Sequence, residues 1–137
     1  MIKRFSKIQD SRPDPQNVCG GVEMAKCIFC EIISRNIPSS IVYEDEKVIA
    51  IDDINPQAPV HVLIIPKKHI PTIVDLRENE DELMGYLVKV ARDIAIKKGI
   101  AERGFRLIFN CNSESGQTIY HIHLHLIGGR VMGWPPG

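Results

Sequence analysis

Residues 121 to 126 read His-Ile-His-Leu-His-Leu, which sets three imidazoles at every second position with aliphatic residues between them. Side chains alternate across a β-strand. His121, His123 and His125 therefore share one face at roughly 6.6 to 6.8 Å spacing, while Ile122, Leu124 and Leu126 turn toward a core. Imidazoles in such a row suit two kinds of chemistry: holding a metal ion, or attacking and protonating groups around a phosphate. The chain has five histidines, and three of them crowd into five positions, which an ordinary solvated strand face does not explain. Their interleaving with apolar residues, inside the chain, also separates the pattern from an appended tag.

Other residues could join them. Cys27 and Cys30 form a C-x-x-C pair. No strand clearly precedes the pair, so zinc is a better reading than thioredoxin-like redox chemistry. The loop from Asn112 to Thr118 runs straight into the histidine segment. Its Gly116 lets the backbone approach a ligand, and backbone N–H groups with the Thr118 hydroxyl could hold phosphate oxygens. His61 lies in an apolar run, and His69 follows Pro66 at a strand exit, where a structural role is expected.

The elements that must carry these groups are legible from periodicity. Ile28, Phe29, Ile32 and Ile33 recur at helical spacing, so a short helix runs from Cys27 to about Arg35 and is closed by Pro38. Strands are expected at 41–43 and 47–51, joined by the acidic turn Glu44-Asp45-Glu46, and at 60–65 between Pro59 and Pro66. Leu83, Leu87, Val90 and Ile94 mark an amphipathic helix over about 79–98, with Asn79 and Glu82 as its cap and Gly99 at its C-terminal end. Two further strands, 105–110 and 120–127, complete an α+β domain: a five-stranded antiparallel sheet with one long and one short helix.

The chain of 137 residues is long enough for a single core without disulfides. Lys plus Arg and Asp plus Glu both number 17, so the charge balance gives no electrostatic footprint for nucleic acid or an anionic membrane. No apolar run is long enough to span a bilayer and no secretory signal is visible, so a cytoplasmic location is expected. Residues 1 to 23 mix both charges with Pro13, Pro15, Gly20 and Gly21 and read as a disordered or loosely attached extension. Lys3, Arg4, Lys7 and Arg12 suggest a transit peptide, but Asp10, Asp14 and Glu23 argue against one, and Met24 is a candidate start. The folded domain is thus expected over 24–137.

His121 to His125 with Leu126-Ile127-Gly128-Gly129, together with Ala58-Pro59-Val60-His61 and the closing Trp134-Pro135-Pro136-Gly137, resembles the histidine triad (HIT) family. The likeness covers 27–137, and the Trp-Pro-Pro-Gly end is similar to the Hint branch rather than the Fhit branch. The resemblance implies a homodimer with one continuous sheet that binds purine nucleoside monophosphates and hydrolyses nucleoside phosphoramidates, and also aminoacyl adenylates, to AMP or GMP.

It implies His123 as the nucleophile that forms a nucleotidyl-histidine, with the His121 carbonyl as acceptor for its other nitrogen. His125 then serves the phosphate oxygens and the leaving amine, and His61 supports the nucleophile from behind. Asp53 would hold the ribose; Ile28, Phe29, Ile32, Ile37 and Ile54 would line the base pocket; Asn110, Gly116, Gln117 and Thr118 would lie on the phosphate side. Trp134 would reach the partner's site. No cofactor is expected for the chemistry, and a structural zinc would be held by Cys27, Cys30, His61 and His121 in a closed tetrahedral set. Two other readings stand beside this one, a dinucleoside polyphosphate hydrolase of Fhit type and a zinc-stabilised nucleotide-binding adaptor.

Overall fold

A computed structural model describes residues 27–137. The extension expected over 1–23, with its transit-peptide and start-site readings, lies outside the described residues.

Helix α1 (Ile28–Ile33) begins at Cys27, whose sulfur accepts the Cys30 N–H at 3.4 Å in place of a hydroxyl cap. It ends earlier than Pro38. Arg35 turns to φ 68° and the Asn36 N–H returns to the Glu31 carbonyl at 2.9 Å, so the chain has left the helix before the proline is reached. Strands β1 (Ile41–Glu44) and β2 (Val48–Asp52) form the expected hairpin. Asp45 builds its turn: Oδ1 accepts the N–H of Lys47 at 2.8 Å and of Val48 at 2.9 Å, and Oδ2 accepts the hydroxyls of Tyr43 and Tyr86.

Strand β3 (Val60–Pro66) follows, then helix α2 (Asp81–Lys97), β4 (Phe105–Phe109) and β5 (Leu124–Gly128). The expected Asn79 cap is not formed. Residues Glu78–Glu80 close as a 3-10 turn, and the buried Glu80 carboxylate accepts the Arg77 N–H at 2.7 Å while pairing with Lys68 at 2.9 Å. At the other end Gly99 adopts φ 76°, and Gly99 and Ile100 donate to the carbonyls of Ile96 and Ala95. This left-handed close satisfies the last carbonyls and admits glycine without strain.

All strand pairings are antiparallel, in the order β1-β2-β3-β5-β4. The central strands β2 and β3 are buried almost throughout because both faces are covered. On one face Val48, Ala50, Val62, Ile64, Leu124 and Leu126 pack against Leu87, Val90, Ala91 and Ile94 of α2. On the other face Ile49, Ile51, Leu63 and Ile65 pack beneath Phe29, Cys30 and Ile32 of α1. No helix among the described residues is long and apolar enough to cross a membrane.

Strand β5 starts at Leu124, later than the expected 120, so His121 and His123 precede it. Both neighbours run out there: Leu124 pairs with Ile64 on one side and with Phe109 at the end of β4 on the other. Beyond that point Pro66 has no N–H for a ladder. The Ile122 N–H bonds the Ile70 carbonyl instead, at 2.7 Å. The alternation nevertheless continues, with Ile122, Leu124 and Leu126 buried against α2.

Candidate active site

The three triad histidines lie on the α1 face of the sheet, and each meets a different environment. His121 is fully buried, whereas His123 and His125 are half-buried. His123 Nδ1 lies 2.8 Å from the His121 carbonyl oxygen. A carbonyl can only accept, so Nδ1 carries the proton and the lone pair is left on Nε2. Phe29 from α1 packs edge-on against this ring with centroids 5.0 Å apart, and against His121 at 5.8 Å. The rotamer of His123 is thus fixed by a hydrogen bond on one side and an aromatic wall on the other. Burial lowers the His123 pKa, opposed by the His121 carbonyl and by the charge of Asp53, so the ring favours its neutral, nucleophilic form.

His125 is set by a second chain of contacts. The Gln57 backbone N–H donates to His61 Nδ1 at 3.0 Å. An amide nitrogen cannot accept, so the His61 proton sits on Nε2. That nitrogen is 2.9 Å from His125 Nδ1 and 3.3 Å from Asp53 Oδ2. His125 Nδ1 must then accept, and its own proton lies on Nε2. The Gln57 amide, aided by the Asp53 carboxylate, therefore makes His125 present an N–H donor. Burial, then the proximity of His123 and His61, holds the His125 pKa down to about 4. His61 is lowered by burial against the opposing charge of Asp53. The structure corrects the expected placement of His61: it abuts His125 rather than the nucleophile.

His61 is also absent from the sulfur cluster. Cys27 Sγ lies 3.5 Å from His69 Nδ1 and 3.3 Å from His121 Nδ1; Cys30 Sγ lies 3.4 and 3.7 Å from the same two nitrogens, which are 3.1 Å apart. The set is Cys27, Cys30, His69 and His121, all buried. The register explains the correction. Val60 pairs with Gly128 and His61 with Ile127, so His61 sits toward the far end of β5, whereas the chain after Pro66 passes His121.

Tetrahedral zinc with Zn–S about 2.3 Å and Zn–N about 2.05 Å has S···N edges of about 3.6 Å and an N···N edge of about 3.35 Å. The observed separations fit it within a few tenths of an ångström. His121 Nε2 donates to the Pro66 carbonyl at 2.8 Å, which leaves Nδ1 bare toward the cluster, the usual orientation for a metal-bound imidazole. Burial lowers His69, takes His121 to about 4 and raises the Cys27 thiol. With both cysteines reduced, these four side chains complete a metal site. Bound there, zinc would supply structural cross-linking between α1 and the segments after β3 and before β5.

The remaining expected residues divide. Phe29 and Ile32 belong to the core beneath α1, while Ile28, Ile37 and Ile54 are exposed, Ile54 almost wholly so at 97%. Asp53 is half-buried beside His61. Asn110 follows β4, and the exposed Gly116 (φ 92°) closes the 3-10 turn Ser113–Ser115. Gln117 is buried with its side chain committed to the loop: Oε1 accepts the Asn112 N–H at 2.7 Å, and Nε2 donates to the carbonyls of Pro71 at 2.9 Å and Ile119 at 3.1 Å. It shapes the loop while the exposed Thr118 hydroxyl stays on its surface. Trp134 is exposed in an irregular tail, as the Gly/Pro content implies.

The chain matches the family model described as scavenger mRNA decapping enzyme C-term binding over residues 26–133. The purine nucleoside phosphoramidase of Escherichia coli K12 is 53% identical over 106 residues, 77% of this chain and 89% of that protein. A 14 kDa zinc-binding protein of Zea mays is 50% identical over 112 residues, 80% of this chain and 87% of that one. A crystal structure of a HIT family hydrolase from Legionella pneumophila superposes with a TM-score of 0.80 at 52% identity, covering 81% of this chain and 99% of the other.

Proposed function

The chain belongs to the histidine triad family and is a nucleotide hydrolase of it; on that premise we propose that it cleaves the P–N bond of purine nucleoside 5′-phosphoramidates, and the corresponding P–O bond of aminoacyl adenylates. The observation that carries the reading is the hydrogen bond from His123 Nδ1 to the His121 carbonyl, with Nε2 left bare beside a donor on His125.

His123 Nε2 attacks the α-phosphorus, forming a P–Nε2 bond as the P–N bond to the amine breaks. His125 Nε2–H bonds a phosphoryl oxygen and passes its proton to the departing nitrogen while its Nδ1 takes the His61 Nε2 proton, the charge left on this relay being balanced by the phosphoimidazolium formed at His123, which lowers the barrier for a poor leaving group. His125 Nε2, now bare, takes a proton from water as that water attacks phosphorus and the P–Nε2 bond breaks. Nucleoside monophosphate leaves and both imidazoles regain their starting tautomers. Dividing the displacement in two lets each step use an in-line nucleophile already in place.

Asp53 would take the ribose hydroxyls, and Ile28, Ile37 and Ile54 would offer apolar contact to the base. The protein acts as a homodimer: β4 is a sheet edge of Phe, Leu and Ile with a single charge, the type of edge that pairs with a second copy. The partner's Trp134 would then approach the leaving group.

Wild-type and His123→Ala proteins are assayed for AMP release from adenosine 5′-phosphoramidate. Wild type should turn over and the variant should lose at least about a thousandfold in kcat while still binding AMP. Wild type that binds AMP without hydrolysing the phosphoramidate would overturn the reading.

A further inference from the structure

The tautomer of His125 is set through His61 from two sides, by the Gln57 N–H on Nδ1 at 3.0 Å and by the Asp53 carboxylate 3.3 Å from Nε2, and of these the shorter contact depends on how Gln57 is held. Gln57 lies in the link from β2 to β3, between Pro56 and Pro59, neither of which can donate a hydrogen bond. Its N–H goes to His61 Nδ1, its side-chain amide donates to the Asn55 carbonyl at 3.0 Å, and its carbonyl accepts from Arg130 Nε at 2.9 Å. Arg130 reaches across from the segment after β5, and its second guanidinium arm bonds the Val131 carbonyl at 3.2 Å.

The same segment is seated on the link by packing. Gly129 has φ 92°, and a Cβ placed on it would come within 2.9 Å of Pro59 Cβ. Two independent contacts thus clamp the 56–59 link against the end of β5.

We propose that Arg130 is a positioning residue for the hydrolytic reaction: by holding the Gln57 carbonyl it keeps the Gln57 N–H on His61 Nδ1, and through His61 it keeps the proton of His125 on Nε2. Without the clamp, only the Asp53 carboxylate at 3.3 Å holds the His61 proton on Nε2, and the Nδ1–H tautomer gains population. Its bare Nε2 then accepts from His125 Nδ1–H, and the lone pair of His125 Nε2 faces the phosphate with nothing to give the leaving group. Every substrate then loses the contact to its phosphoryl oxygen, but only one whose leaving group needs a proton loses proton delivery as well, so the larger loss falls there.

The test has two arms, and only the kinetic one rests on the phosphoramidase reading. Imidazole 1H–15N correlation spectra assign the tautomers in wild type, Arg130→Lys and Arg130→Met. Wild type should show Nε2–H on both His61 and His125, Arg130→Met a mixture on both rings, and Arg130→Lys an intermediate pattern, since one ammonium contact replaces a forked one. In the kinetic arm, kcat on an alkylamine phosphoramidate of adenosine should fall about tenfold in Arg130→Met, while the p-nitrophenyl ester of AMP stays within about twofold. Unchanged tautomers, or an equal loss on both substrates, overturn the assignment. Wild type inactive on both substrates would overturn the phosphoramidase reading instead, and the spectra would still decide the role of Arg130.

Discussion

Replacing His69 should abolish metal binding, and replacing His61 should not. Both imidazoles follow β2 within a short stretch of sequence, but only His69 places a nitrogen within 3.5 Å of both cysteine sulfurs. Metal binding stabilises the native state by RT ln(1 + [Zn]/Kd), about 4 kcal/mol when free zinc exceeds Kd about a thousandfold. At about 4 °C per kcal/mol for a domain of this size, that is an upward shift of about 15 °C. The assay is the difference in Tm with zinc and with chelator, measured within each variant under reducing conditions, with zinc content determined on the same samples. Using the increment removes the packing cost of each substitution. Wild type and His61→Ala should each bind one zinc per chain and show the whole increment; His69→Ala should show little of it. Zinc retained at one per chain by His69→Ala, or lost by His61→Ala, would refute the assignment.

Three more outcomes follow from the same geometry. His125 is held to about 4 against an ordinary 6.5, so the unfolded chain takes up its proton first and the stabilising contribution, whole above pH 6.5, is lost as pH falls toward 4. The urea midpoint of His125→Gln should therefore decline less steeply over that window than that of wild type, and equal slopes would sink the idea. Asp45→Ala removes the acceptor for two turn N–H groups and two tyrosine hydroxyls and should lower stability by about 1–3 kcal/mol in urea unfolding without changing kcat. Gly128→Ala would set a Cβ 2.5 Å from Ile100 Cδ1 and 3.3 Å from Phe105 Cβ. It should cost about 1–3 kcal/mol by overpacking, and an unchanged Tm would show that Ile100 yields freely.

The sheet and its helices were legible because their patterns are local. Alternation at 121–126 separated the histidine face from the core face, and the spacing of Leu83, Leu87, Val90 and Ile94 gave the buried stripe of α2. The role of His69 was not legible, because it follows Pro66-Lys67-Lys68, outside any strand, and is 42 residues from Cys27. A signal existed in the strands themselves. Once β3 and β5 are paired antiparallel with Val60 opposite Gly128, the residue numbers of partners sum to a constant that sets position 67, not 61, across from His121. The early stop of α1 and the Glu78–Glu80 turn were hidden for another reason: each depends on one residue's backbone angle or one buried carboxylate, which periodicity does not report.

The register of β5 against β3 also bears on which length changes the gene can tolerate. Shifting β5 by one residue would exchange its two faces, burying imidazoles behind α2 and presenting Ile122, Leu124 and Leu126 toward the phosphate side. A single-codon deletion within 60–66 or 121–128 should therefore remove solubility and turnover in the same stroke, whereas a point change at His123 should remove turnover alone. A deletion scan read out on both properties would trace these two strands as the stretches where folding and catalysis cannot be mutated apart.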